Sequence, residues 1–213
     1  MHLVALLASA LARFDAPAVP ADPARPPVVL VHGIFSSGHD MERLARHLRS
    51  GGRQVLVPTL TPNGGQAPLE DLARQLANYV EREIPGRQFD MVGFSMGGLV
   101  SRYYVQRLGG IDRVGAFVTI ATPHYGTQLA RLAKLPGWVQ MRPGSDFLRD
   151  LDHDADSLRR IKFTSLYTPL DAIIVPARSS EMPQARNVRK WAAIHPSLIL
   201  EMRCIRAVSD ALR

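Results

Sequence analysis

The chain has 213 residues, 46% of them apolar and 21% charged, enough for one domain with a substantial buried core. Its formal net charge of +7 comes mainly from scattered arginines, the densest group being Arg186, Arg189 and Lys190. No basic run is interleaved with aromatics, which argues against a nucleic-acid surface; a weak attraction to anionic lipid stays open beside the plainer reading of a solvated arginine-rich exterior. No stretch reaches the roughly 18 apolar residues that a bilayer span needs, and with Cys204 as the single cysteine no intrachain disulfide can form.

Taken in order, the chain begins with an apolar run, Leu3 to Ala12, followed by Ala/Pro-rich sequence to Pro27. The run fits the core of a signal peptide, with Ala8-Ser9-Ala10 or Ala10-Leu11-Ala12 as a cleavage site, yet Met1-His2 before it carries no Lys or Arg. The competing reading is a short helix packed on the domain. Residues 1–27 are thus either signal peptide or N-terminal helix, with a linker from Asp15. The first reading implies a secreted or periplasmic protein, the second a cytoplasmic one.

The domain is expected over 28–213. Val28-Val29-Leu30-Val31 is a continuous β-branched run, the pattern of a strand buried on both faces. After the small-residue loop His32 to Gly38, Asp40 is expected to cap a helix to about Arg49, stopped by Gly51-Gly52. Gln54 to Leu60 reads as a second strand and Leu69 to Ile84 as an amphipathic helix, with Leu69, Leu72, Ala73, Leu76 and Val80 at core spacing. Phe89 to Phe94 is a third strand, Met96 to Leu108 a helix and Val114 to Ala121 a fourth strand. Lys162 to Leu170 and Arg186 to Ala193 are weaker strand candidates, and Ser197 to Leu212 a closing helix. Strands alternating with helices predict an α/β fold: a mostly parallel sheet with helices on both faces and active groups beyond the C-terminal strand ends.

The stretch with most chemistry is Gly93-Phe94-Ser95-Met96-Gly97 between a strand and a helix. A sharp strand-to-helix turn holds its central serine in strained backbone angles and lifts the hydroxyl clear of the sheet. A Cβ at Gly93 or Gly97 would collide with the neighbouring strand or helix. The plainer alternative is a glycine-rich turn with an incidental serine, which the strand-turn-helix context disfavours.

Val-His-Gly-Ile-Phe at 31–35, Gly-Phe-Ser-Met-Gly-Gly-Leu-Val at 93–100 and Thr-Pro-His-Tyr-Gly-Thr at 122–127 together resemble the small bacterial lipases and esterases of the α/β-hydrolase superfamily. The resemblance runs from about Val28 to Leu200 and is weakest in the last third. It implies an α/β-hydrolase fold with a small or partial lid. It also implies partners in the chain order nucleophile, acid, histidine. His195-Pro196-Ser197-Leu198 resembles the family's histidine loop, making His195 the general base. Asp171, at the end of the strand from Phe163, is then the acid that fixes the imidazole tautomer, with Glu181 as second choice. The oxyanion donors implied are the backbone N–H groups of Met96 and Ile34. His32 and His124 are expected to be structural. Phe35, Ile173 and Ile174, with Met96, are expected to line an apolar pocket. The segment around 125–156 is expected to form a cap, mobile or fixed, with Asp150 to Asp156 as exposed loop or lid edge and not a metal site.

These assignments imply a serine carboxylester hydrolase, a lipase or esterase working through an acyl-enzyme on an acyl-ester or lipid substrate, with transient contact to a lipid interface. No cofactor or metal is expected. A thioesterase or lipid deacylase with the same triad is the alternative, and a non-catalytic binding protein on the same fold is the reading from another class. Acyl-chain length and oligomeric state leave no signature in the residues.

Overall fold

Four consecutive apolar residues with β-branched side chains give β1, Val28–Val31, and all four are buried, as a strand covered on both faces requires. The computed structural model describes residues 20–213, so the expected signal peptide or packed helix lies outside the described residues. Residues 20–26 form no helix or strand. Further strands are β2 (Val55–Leu56), β3 (Phe89–Phe94), β4 (Val114–Ile120), β5 (Lys162–Tyr167) and β6 (Arg186–Arg189). They make one sheet of six strands in the order β2-β1-β3-β4-β5-β6, parallel throughout.

The period of two in β1 sorts its side chains to two cores. Val29 and Val31 face the side covered by α2 (Leu69–Glu83) and α3 (Met96–Arg107), through Leu72, Leu76, Leu99 and Val100. Val28 and Leu30 face the side covered by α1 (Glu42–Ser50) and α7 (Met202–Ala211), through Leu44, Leu48, Ile205 and Val208. Between β3 and β6 lie α4 (Pro136–Gln140) and α5 (Asp146–His153), and α6 (Ser197–Leu200) precedes α7. The chain runs outward from β1 to β2, then returns across β1 to β3. The loops after β1 and β3 therefore meet at the point where the strand order reverses, where such sheets hold their ligands.

Several expected elements differ in extent. The strands expected to Leu170 and Ala193 end at Tyr167 and Arg189. The helix expected from Asp40 opens as a 3-10 turn, Gly38–Met41, because the Asp40 carboxylate reaches back to accept from the Ser37 N–H at 2.8 Å and the Ser36 hydroxyl at 2.9 Å. The strand expected over Gln54 to Leu60 pairs only at Val55 and Leu56. The closing helix is two helices, since Glu201 is extended (φ −79°, ψ 130°). The stretch Asp150 to Asp156, expected as exposed loop, lies in the second half of a helix, Asp146–His153, capped by Ser145 and buried at Phe147, Leu148 and Leu151, and in the 3-10 turn from Ala155 that follows. Arg102, wholly buried on α3, donates to the Leu151 carbonyl and the Asp152 carboxylate, both at 2.8 Å. A buried guanidinium has to be satisfied, and folding this stretch as helix brings it those acceptors.

Candidate active site

Ser95 sits between β3 and α3 with φ 53° and ψ −124°, angles that cost an L-residue strain and that its surroundings must enforce. Two glycines allow the turn. A Cβ on Gly93 would lie 2.5 Å from Gly98 Cα, and one on Gly97 would lie 2.5 Å from the Val31 carbonyl oxygen and closer still to that of His32. Helix α3 thus runs against β1 itself, and Ser95 is held at the helix N-terminus. The Ser95 N–H donates to the Ile120 carbonyl at 2.8 Å, pinning the turn to β4.

The loop after β1 is shaped by His32. Its Nδ1–H donates to the Gly33 carbonyl at 2.9 Å, and its Nε2 accepts from the Leu60 N–H at 2.9 Å. An accepting Nε2 requires the neutral ring, and burial also holds the His32 pKa below its ordinary value. The loop passes so close over the elbow that a Cβ on Gly33 would stand 3.1 Å from Ser95 Cβ. Among the described residues the Ile34 N–H donates to no protein group. The Met96 N–H opens α3, where an intrahelical acceptor does not exist. Two N–H groups without partners thus flank the serine turn.

Asp171 follows β5 and is buried. Its Oδ1 accepts from the N–H groups of Ile173 and Ile174, each at 2.9 Å. Its Oδ2 stands 2.7 Å from His195 Nδ1. The two loops are tied together by Thr168, whose hydroxyl donates to the Ala192 carbonyl at 3.0 Å. Phe94 packs on the imidazole with ring centroids 4.9 Å apart. With Nδ1–H held by the carboxylate, Nε2 is the free basic nitrogen. No hydrogen bond joins Ser95 to that imidazole among the described residues. Both line one open cleft of about 700 Å³, together with Ile34, Phe35 and Ile173. Catalytic hydrogen bonds commonly tighten only once substrate is bound.

Several expected residues lie elsewhere. Ile174 is buried and absent from the cleft wall; its part is the N–H it gives to Asp171. Met96 is buried too, leaving only its backbone at the turn. Glu181 accepts from the Tyr167 hydroxyl. The segment 125–156, expected to cap the pocket, gives the cleft no lining residue. It reaches the cleft's edge through Trp138, whose indole donates to the Gly64 carbonyl at 2.9 Å and meets the lining residue Phe35 with ring centroids 6.0 Å apart. His124 is buried, bonded at 3.0 Å to Thr119, whose hydroxyl passes on to Ser165 at 3.1 Å. No cluster of three metal-ligating side chains exists among the described residues. The walls the sequence reading missed come from α1 and α6: Arg43, Arg46, Ile199 and Leu200. The signal was available, since Arg43 and Arg46 lie off the Leu44/Leu48 core face of a helix that begins just after the His32 loop.

A parallel sheet with a strained serine at a strand-to-helix turn and an Asp-His pair beyond later strands defines a site of the α/β-hydrolase type. The family model described as alpha/beta hydrolase fold matches residues 26–198, and the chain belongs to that family. Among solved structures, Bacillus licheniformis lipase BlEst2 in mature form superposes with a TM-score of 0.77 at 21% identity, over 92% of this chain and 95% of that one. Aspergillus fumigatus lipase B gives 0.70 at 19% identity, over 88% and 52%; these likenesses are of fold. Among curated proteins, 105 residues are 25% identical to the lysosomal thioesterase PPT2 of Mus musculus and 26% to that of Homo sapiens. That match covers 47% of this chain and 34% of each relative, so it spans about a third of the relatives' length.

Proposed function

We propose that this chain is a serine carboxylester hydrolase acting through an acyl-enzyme. Ser95 Oγ attacks the ester carbonyl while His195 Nε2 takes its proton. The N–H groups of Ile34 and Met96 hold the oxyanion that forms. Collapse breaks the acyl–oxygen bond, and His195 returns the proton to the departing alcohol. Water then attacks the acyl-enzyme, giving its proton to His195, and release of the acid restores Ser95. Asp171 holds the imidazole in the tautomer this needs and stabilises the imidazolium between the two transfers. None of these steps needs a cofactor.

The observation that carries the reading is the opening of the Asp171–His195 pair, 2.7 Å apart, onto the cleft that also contains the strained Ser95. A fluorophosphonate probe should label the folded protein at Ser95, and nitrophenyl esters should be turned over; Ser95→Ala should abolish both. Unchanged labelling of the variant, or none of the wild type, refutes the reading in favour of a binding protein. The shared stretch with a thioesterase favours a second reading. A strong preference for thioesters over matched oxygen esters would select it.

A further inference from the structure

We propose that the substrate of this site is anionic, and that Arg43 and Arg46 on α1 recognise a phosphate or carboxylate at the outer end of an otherwise apolar ester. This rests on the hydrolase reading above. The cleft is lined by both apolar and charged groups. The apolar ones include Phe35, Ile173, Ile199 and Leu200. The polar and charged ones, His39, Asp40, Glu42, Arg43 and Arg46, come from the start of α1 and the turn before it.

The carboxylates among them are engaged. Asp40 accepts from the Ser37 N–H and the Ser36 hydroxyl, bonds that hold its carboxyl below the ordinary aspartate value and keep it in the turn. Glu42 accepts from Arg49 Nη1 at 2.7 Å. Arg43 and Arg46 make no hydrogen bond or ion pair with any described residue, whereas Arg49, Arg53, Arg102, Arg107 and Arg113 each have a carboxylate. Three residues apart on a helix, the two share a side, and both border the cavity that holds Ser95 and His195. A pair of exposed helix arginines is ordinarily a solvated surface. Here they border the cleft that holds Ser95 and His195, alongside its apolar residues, with their local carboxylates occupied. A guanidinium pair suits a planar carboxylate or a phosphate through paired N–H donors. An amphiphilic ester would set its hydrocarbon against the apolar lining, present its carbonyl to Ser95 and leave its anionic end at Arg43 and Arg46.

The test compares kcat/KM for 4-nitrophenyl butyrate with that for the mono-4-nitrophenyl ester of glutaric acid, which ends in a carboxylate. The anionic-to-neutral ratio should fall roughly tenfold in Arg43→Gln/Arg46→Gln, the scale of one hydrogen bond to a charged group. It should invert in Arg43→Glu/Arg46→Glu and shrink with added sodium chloride. A ratio indifferent to charge reversal overturns the proposal. A second arm measures binding without turnover: decyl phosphate should bind the wild type more tightly than decyl alcohol, and the margin should vanish in the Glu variant. Tight decyl phosphate binding without hydrolysis of either ester would sink the hydrolase reading and leave the anion site standing. Equal binding of the two decyl compounds with brisk turnover of both esters would do the reverse. Decyl phosphate offered as monomers or in phosphatidylcholine vesicles separates a soluble anion from a lipid headgroup by which form binds.

Discussion

At Asp171 one carboxylate does two jobs that a single substitution pulls apart. Oδ1 is fixed by the N–H groups of Ile173 and Ile174, and Oδ2 by the His195 ring. In Asp171→Asn the remaining carbonyl oxygen stays with the two backbone donors, so the amide NH₂ faces Nδ1. The ring must then accept at Nδ1 and carry its proton on Nε2, the tautomer that cannot take a proton from Ser95. The expected result is a loss of kcat by about 10⁴, the scale seen for the same change in a serine protease triad. The melting temperature should move little, because the turn keeps its acceptor. A kcat within tenfold of wild type would remove Asp171 from the role proposed for it. The second acid candidate, Glu181, is occupied by Tyr167, so Glu181→Gln should leave kcat near the wild-type value.

The element that fixes the site is the β3-turn-α3 unit, and its tolerance is set by how closely α3 approaches β1. Gly97→Ala puts a methyl against the carbonyl oxygens of Val31 and His32, which belong to the strand end that carries the Ile34 loop. Neither partner is a flexible side-chain tip, so α3 must shift and carry the Met96 N–H with it. We expect a loss of about 1–3 kcal/mol in chemical denaturation, as for overpacked cores, together with a fall in kcat. A variant with unchanged stability and rate would mean that the close approach is relieved without consequence. Elements of this kind were legible in the sequence because their constraints are local. A β-branched run announces a buried strand, and two glycines around a serine announce a turn with no space for Cβ. The residues that escaped depend on packing across the fold. Ile174 follows Ile173 in an identical local pattern, yet one borders the cleft and the other is buried behind Asp171. The acidic run Asp150 to Asp156 has the composition of a loop, but its apolar positions Leu151 and Ala155 are buried and the Leu151 carbonyl accepts from an arginine on α3. Glu201 breaks the closing helix with no proline or glycine to mark it.

Across the whole molecule, two histidines outside the cleft couple the fold to acidity. His32 shapes the loop over Ser95 and His124 braces the sheet through Thr119. Burial lowers the pKa of both below the ordinary 6.5, and for His124 the Arg102 charge lowers it further. A group whose folded pKa is depressed binds fewer protons folded than unfolded over the interval between its two values, so stability there rises with pH. The stabilisation is complete above about pH 6.5, where both rings are neutral in either state. It is lost as pH falls below that point, as the unfolded rings take protons that the folded ones refuse. Each proton contributes a slope of at most about 1.4 kcal/mol per pH unit. The depressed carboxyls of Asp40 and Asp154 have the same sign but act in a lower window, below the ordinary 3.8. Thermal melts should therefore be level from pH 8 to about 6.5 and decline between 6.5 and 4, ahead of any carboxylate contribution. The decline should be shallower in His32→Gln, whose amide can still accept from the Leu60 N–H without titrating. A melting temperature constant from pH 8 to 4.5, or a His32→Gln profile parallel to the wild type, would show that His32 is not a source of the acid sensitivity.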